Sequence, residues 1–296
     1  MLFGNLYLLI FYLGLYSRAV MVNKGVFSCR VPLHLLSCFF KLNVIYPQKR
    51  VLVLELQLAP SKKTLIVGPT TTKNVKLTVR RIALRLQYAE LEPSLRTKWY
   101  DSISRNNLIR VFPTYATAHR SIKKGQEREY LPNILPFGIL PEYVAIVFMK
   151  ETTHVGNFQN AFCYKHNDVT SLTLRKNGVA HFLNEESKGD KIEEHSHRHF
   201  LWYDEFLKCF GNHSSSIEPS KFYHDLFVFT FDLSTVPVVW ENSKTDASTK
   251  LNLLSAGTID LEVTFKDALP ENLIICAIGY HKSVATFNPD GEIVSD

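Results

Sequence analysis

From Thr258 to Lys266 the apolar residues Ile259, Leu261, Val263 and Phe265 alternate with Asp260, Glu262, Thr264 and Lys266. That is the period of a strand with one wet face. The next run, Leu273 to Ile278, is apolar on both faces and predicts a strand covered on both sides. Leu269-Pro270-Glu271-Asn272 between them supplies the turn. Upstream, Phe227, Phe229, Phe231 and Leu233 share one face, with His224 and Asp232 on the other, again at period two. Phe222 to Val294 thus predicts successive antiparallel strands around an aromatic core.

Earlier segments extend the pattern. Val51 to Leu58 and Thr64 to Val67 predict strands separated by Pro60-Ser61-Lys62-Lys63. Between Val75 and Tyr88 the inward parity flips at Arg80-Arg81, as a β-bulge would make it do. Leu95, Trp99 and Ile103 follow Glu92-Pro93-Ser94 at helical spacing. Leu108 to Phe112 reads as strand, whereas Thr114 to Asn133 is polar and basic and reads as a long connection, which sets a boundary near residue 133. Tyr143 to Met149 predicts a buried strand, and Val169 to Arg175 with Val179 to Leu183 a hairpin about Asn177-Gly178. Asn184 to His199 is charged and reads as a loop, Phe200 to Phe210 as an amphipathic helix stopped by Gly211, and Ser234 to Ser248 as a second loop. The expected class is all-β, a jelly-roll sandwich or barrel with a few short inserted helices.

Composition narrows this little. The chain has 296 residues, 46% hydrophobic and 21% charged, within the globular range and long enough for one large or two modest domains. Its net charge of +6 is spread along the chain, which favours weak, non-specific attraction to polyanions such as DNA over a dedicated nucleic-acid site. Arg80-Arg81, Lys123-Lys124 and Arg128 are its densest basic spots and read first as a solvated face. Cys29, Cys38, Cys163, Cys209 and Cys276 are odd in number and contain no C-x-x-C pair, so they predict neither a zinc site nor a disulfide framework and fit a reducing compartment. Cys276, inside the apolar strand, reads as a small buried hydrophobe. Against that compartment, Leu2 to Tyr16 is an apolar run followed by Ser17-Arg18-Ala19, although no Lys or Arg precedes it. Three readings of the first fifty residues stay open: a secretion signal, a peripheral membrane contact, or an atypical or imprecisely delimited start.

The chemistry-bearing candidate is His195-Ser196-His197-Arg198-His199, flanked by Glu193 and Glu194 and by Asp204 and Glu205. On an extended segment, alternating histidines project to one side, and His195, His197 and His199 could meet one metal ion. An H-x-H pair on a β-barrel would be similar to cupin metalloenzymes, but where the cupin motif has a Glu a few residues on, with glycines flanking at set distances, an aromatic helix follows here. A solvated polar loop is the simpler reading. G-x-S-x-G, Gly-rich phosphate loops and H-E-x-x-H are absent, so the common hydrolase, nucleotide and zincin signals are missing. Asn212-His213-Ser214 fits a glycosylation triplet, relevant only to a secreted chain.

Over roughly Val75 to Asp296 the sequence resembles the capsid-like, double-jelly-roll proteins of Maverick (Polinton) DNA transposons and related adintovirus-like elements. The resemblance lies in the LTVRRIAL stretch, in Phe137-Gly138-Ile139-Leu140-Pro141 before the Tyr143 strand, in Asn157-Phe158-Gln159-Asn160 with Phe162, and in the hairpin from Ser171 to Val179. Phe231-Asp232-Leu233, the strand Gly257 to Phe265, Ala268-Leu269-Pro270-Glu271 and the last two strands carry it further. About ten strand candidates are present where two eight-stranded units would need more, so the first unit is expected to be truncated.

The expected organisation is an atypical apolar segment over 1–50, read from its own residues, then a partial first jelly roll over 51–133 and a second jelly roll over 134–296, as the resemblance implies. The resemblance also implies a structural protein with no enzymatic activity, no cofactor and no small-molecule substrate. Its partner would be itself, as a homotrimeric capsomer and in a capsid lattice, with weak contact to DNA. Its place would be intracellular or in a virion-like particle. The first alternative is a secreted or membrane-associated jelly-roll binding module, and the second a cupin-like metalloprotein centred on His195, His197 and His199.

Overall fold

The computed structural model describes residues 92–105, 108–135, 138, 140–155, 163–181, 192–210, 217–233, 256–287 and 293–295, with short pieces at 78–79 and 81–83. The N-terminal apolar segment, the strands expected at 51–58 and 64–67, most of that expected at 75–88, and Asn212 lie outside the described residues.

In chain order the elements are α1 (Pro93–Arg105), β1 (Leu108–Ile122), β2 (Arg128–Leu131), β3 (Tyr143–Lys150), α2 (Glu151–Val155), β4 (Val169–Lys176) and β5 (Val179–His181). They continue with α3 (His197–Phe210), α4 (Pro219–Asp225), β6 (Phe229–Asp232), β7 (Ile259–Phe265), β8 (Leu273–Phe287) and β9 (Ile293–Ser295). One sheet has the order β1-β8-β3-β6, with β9 also on β8, and the other the order β2-β7-β4-β5. All these pairings are antiparallel.

The two orders share one logic. β1 pairs with β8, β2 with β7, β3 with β6 and β4 with β5, the pairs of a single long double ribbon. Wrapping that ribbon on itself makes β8 a neighbour of β3 and β7 a neighbour of β4. This is a complete eight-stranded jelly roll.

The core lies between the sheets. From the first sheet Val144, Ile146, Phe148, Phe229, Phe231, Leu273, Ile275 and Ala277 face in, and from the second Leu172, Leu174, Ile259, Leu261, Val263 and Phe265. In β7 buried and half-buried positions alternate without a break, as the sequence predicts. Phe148 meets Phe229 edge to face at 5.6 Å within its own sheet and Phe265 at 5.9 Å across the core. Such pairs add roughly 0.5–1.5 kcal/mol beyond the area they bury.

Two expectations are corrected. Thr114 to Asn133 is not a long connection: β1 runs to Ile122, and β2 follows after a tight reversal in which Gly125 takes φ 86° and donates its N–H to the Leu269 carbonyl at 2.9 Å. The strand is hard to see because alanines, Ala116 and Ala118, hold buried positions in it while His119, Arg120 and Ser121 are exposed. Pro113 within β1 is tolerated because β1 terminates the described sheet, and an edge strand can lose one donor. The boundary near residue 133 falls with the connection, since β1 and β2 are laddered to β8 and β7. The sandwich therefore reaches back at least to Leu108. The second correction concerns His224, which belongs to α4 and not to the strand that follows.

The β4–β5 hairpin turns where expected, with Asn177 at φ 52° and Gly178 at φ 78°. Two left-handed residues suit a two-residue hairpin. Asn177 also accepts the Thr258 N–H at 2.9 Å, tying the turn to the start of β7. Gly178→Ala is expected to lower stability by about 1 kcal/mol, read from urea denaturation, because an L side chain is forced left-handed.

Candidate functional site

The histidine-rich segment folds against its sequence reading. Ser196 is the N-cap of α3: its hydroxyl accepts the His199 N–H at 3.2 Å and its carbonyl the Phe200 N–H at 3.1 Å. Helix therefore begins at His197, three residues before the apolar run, and the segment is not an extended strand. His195 sits in the preceding turn at φ 61° and is exposed, His197 is exposed on the first turn, and His199 is buried. The rings of His195 and His199 stand 6.1 Å apart and tilted. Among the described residues no group of three His, Cys, Asp or Glu side chains is placed to hold a metal ion. A serine just ahead of the helical positions His199, Trp202 and Phe206 was the signal available in the sequence.

Other groups do converge here, and sequence spacing did not link them. Glu194 accepts the Ser220 hydroxyl at 2.7 Å, and its two oxygens stand 3.2 Å from His224 Nε2 and 3.7 Å from His195 Nε2. The Ser220 hydrogen bond is the largest influence and holds its carboxyl below the usual range; desolvation, the next largest, opposes it, and His224 and His195 add smaller lowering effects. Tyr223 donates to the Ile192 carbonyl at 3.1 Å. These contacts seat α4 on the turn before α3. α3 in turn closes the β6 edge of the sandwich, with Trp202 edge-on to Phe229 at 4.7 Å and to Phe231 at 5.6 Å.

The two sheets differ on their outer faces. The second is polar: Glu262 pairs with Arg128 from β2 and with Arg175 from β4 at 3.2 Å, and Tyr130 donates to Asp260 at 3.0 Å. The hydrogen bond from Arg128 contributes most to keeping the Glu262 carboxyl below its ordinary range. On the first sheet Ala145, Val147, Ile274 and Cys276, all facing away from the core, are nevertheless buried. Tyr115, Tyr280 and Tyr143 form a ladder across β1, β8 and β3, in register, with Tyr143 stacked on Tyr280 at 4.3 Å and Tyr115 edge-on to Tyr280 at 5.5 Å. Phe210 adds its ring to Tyr143 at 6.1 Å, and Cys209 lies in the same cluster. Burial pushes both the Cys209 and the Cys276 thiol up to about 12, so neither is a nucleophile at neutral pH. An antiparallel sheet usually leaves one face to water. Here both faces are buried over β3 and the first half of β8, whose sequences are apolar on both faces, while His119 and Ser121 of β1 are exposed.

A jelly-roll protein with one sheet buried on both faces at its centre is the class that fold and surface define. Among solved structures the chain is similar to the mavirus major capsid protein, with a TM-score of 0.33 and 10% identity over 64% of this chain and 41% of that one. It is also similar to a chain of the Sputnik virophage structure, with a TM-score of 0.36 and 7% identity over 64% of this chain and 39% of that one. A third likeness is to PBCV-1 Vp54 fitted into a reconstruction of Sputnik, with a TM-score of 0.34 and 12% identity over 66% of this chain and 52% of that one. The chain thus spans about half or less of the proteins it matches. No family model and no curated protein matches the sequence. The jelly-roll assignment rests on the strand ladder itself. No helix among the described residues is long and apolar enough to cross a membrane.

Proposed function

We propose that the chain is a structural protein of capsid type, related to those of Maverick-like elements, whose jelly roll is one brick of a homotrimeric capsomer. The observation that carries this reading is the burial of both faces at the centre of the first sheet, over β3 and the first half of β8, as expected if the sandwich is one part of a thicker body. The partial first jelly roll expected upstream of β1 belongs to the same proposal. The sequence resemblance supports it, as does a wet, ion-paired face on the other sheet, the surface that a packed brick would turn outward. Work is then done by surfaces and not by a pocket, without cofactor or small-molecule substrate, in an intracellular or virion-like particle. The net charge of +6 is suited to weak contact with packaged DNA.

The test is the mass of the purified full chain by size exclusion with light scattering at rising concentration, with negative-stain imaging of the main peak. The expected result is a species of about three times the 34.0 kDa monomer, growing into larger particles as concentration rises. A chain that stays monomeric over the whole range overturns the proposal.

A further inference from the structure

The turn before α3 and helix α4 are joined by a buried imidazole and by a cluster of side-chain hydrogen bonds and ion pairs. His199 is buried, its ring stacked on Phe222 with 6.1 Å between centroids. Its Nδ1 accepts the His195 N–H at 3.0 Å, and its Nε2 faces the Pro219 carbonyl at 3.0 Å and donates to it. Around this centre stand the Glu194 contacts to Ser220, His224 and His195, and the Tyr223 hydroxyl on the Ile192 carbonyl.

We propose that this junction is a proton-operated clasp: charging His199 releases α4 from the end of the sandwich. The two hydrogen bonds admit one neutral tautomer, because a proton on Nδ1 would oppose the His195 N–H, donor against donor. Burial holds the imidazole below its ordinary range, while the Pro219 carbonyl pulls the other way. Glu194 and His195 face the ring from the turn, and Tyr223 and His224 from α4, with His166 and Asp168 behind Tyr223. Arg198, next along α3, donates away from the ring to the Thr170 carbonyl at 3.0 Å.

His195 and His224 also stand against Glu194. Those imidazoles are 65% and 57% exposed, where ion pairs contribute little, so the buried ring decides the sign. A histidine whose closed-state pKa lies below its open-state value makes the open state bind more protons. The clasp therefore holds fully above about pH 6.5 and weakens as pH falls below it. Release would uncover Phe222, which is fully buried against Tyr203, Phe206 and Phe227.

Hydrogen exchange of the full chain, corrected for intrinsic rates, tests the clasp at about pH 7.5 and about pH 5. Amides of α4 are expected to lose about tenfold in protection for each unit below the open-state value, while β8 changes little. In His199→Gln, which keeps a donor for the Pro219 carbonyl and takes up no proton, α4 protection is expected to be flat with pH. An equal pH response in the variant and the parent chain overturns the proposal. Nitrogen NMR of the parent chain's imidazoles gives a reading that needs no variant. The Nε2–H tautomer of His199 at neutral pH, and charging that coincides with loss of α4 protection, are expected. A ring that takes up its second proton while α4 stays protected overturns the clasp.

Discussion

Phe148→Ala is expected to destabilise the sandwich by about 3–5 kcal/mol. The ring is almost wholly buried in β3 and is edge-on to Phe229 and to Phe265, so it joins neighbouring strands of one sheet and reaches across to the other. Truncation removes the transfer energy of the ring and leaves a cavity between two ladders that cannot collapse without breaking register. A domain of this size is stable by roughly 5–15 kcal/mol, so the loss is a large share of the whole. Urea denaturation measures it as a lower midpoint at constant slope. Val179→Ala, at a side chain 65% exposed, is the control and is expected to change stability by no more than about 0.5 kcal/mol. A loss at Phe148 no larger than the control's would mean that the two sheets do not meet there.

Leu261→Asp is expected to have the larger effect still, and to leave the chain without a cooperative unfolding transition. Leu261 is fully buried in the centre of β7, with Leu174 opposite it on β4 and Leu131 on β2. A carboxylate there has no partner and would take up a proton or unfold the strand, at a cost of at least about 4 kcal/mol. One residue on, Glu262→Leu changes the wet face. It removes the pairs with Arg128 and Arg175 and is expected to lose about 1 kcal/mol or less, because exposed ion pairs contribute little. Circular dichroism melts of the two variants separate these outcomes. Comparable melts would place β7 in the wrong register, since a one-residue slip exchanges its two faces.

The strands that were legible in the sequence are those whose inward side chains are large. Large apolar side chains at period two mark β4 and β7, continuous apolar runs mark β3 and the start of β8, and Asn177-Gly178 marks the hairpin because few other dipeptides accept two left-handed residues. The second half of β1 escaped notice because small alanines hold its buried positions, which leaves a stretch that looks polar when taken alone. The histidine segment misled for a different reason. Alternating residues share a side only in extended chain, and Ser196 had already committed them to a helix, where His197 and His199 point apart. Glu194, Ser220 and His224 went unseen because no local pattern connects residues about thirty positions apart.

By itself the sequence determined where the strands with large inward side chains form, because that depends on near neighbours along the chain. It also determined that the strand from Leu273 to Ile278 would be covered on both sides, because apolar residues occupy both of its faces. Only the tertiary structure decided that β1 meets β8 and β2 meets β7, closing one ribbon into a complete jelly roll. Those ladders join residues more than a hundred positions apart, and strand pairing over such distances is set by the cooperative fit of the whole sandwich. The same distance explains the histidines: whether a side chain binds metal, faces water or locks a helix depends on which part of the chain arrives beside it.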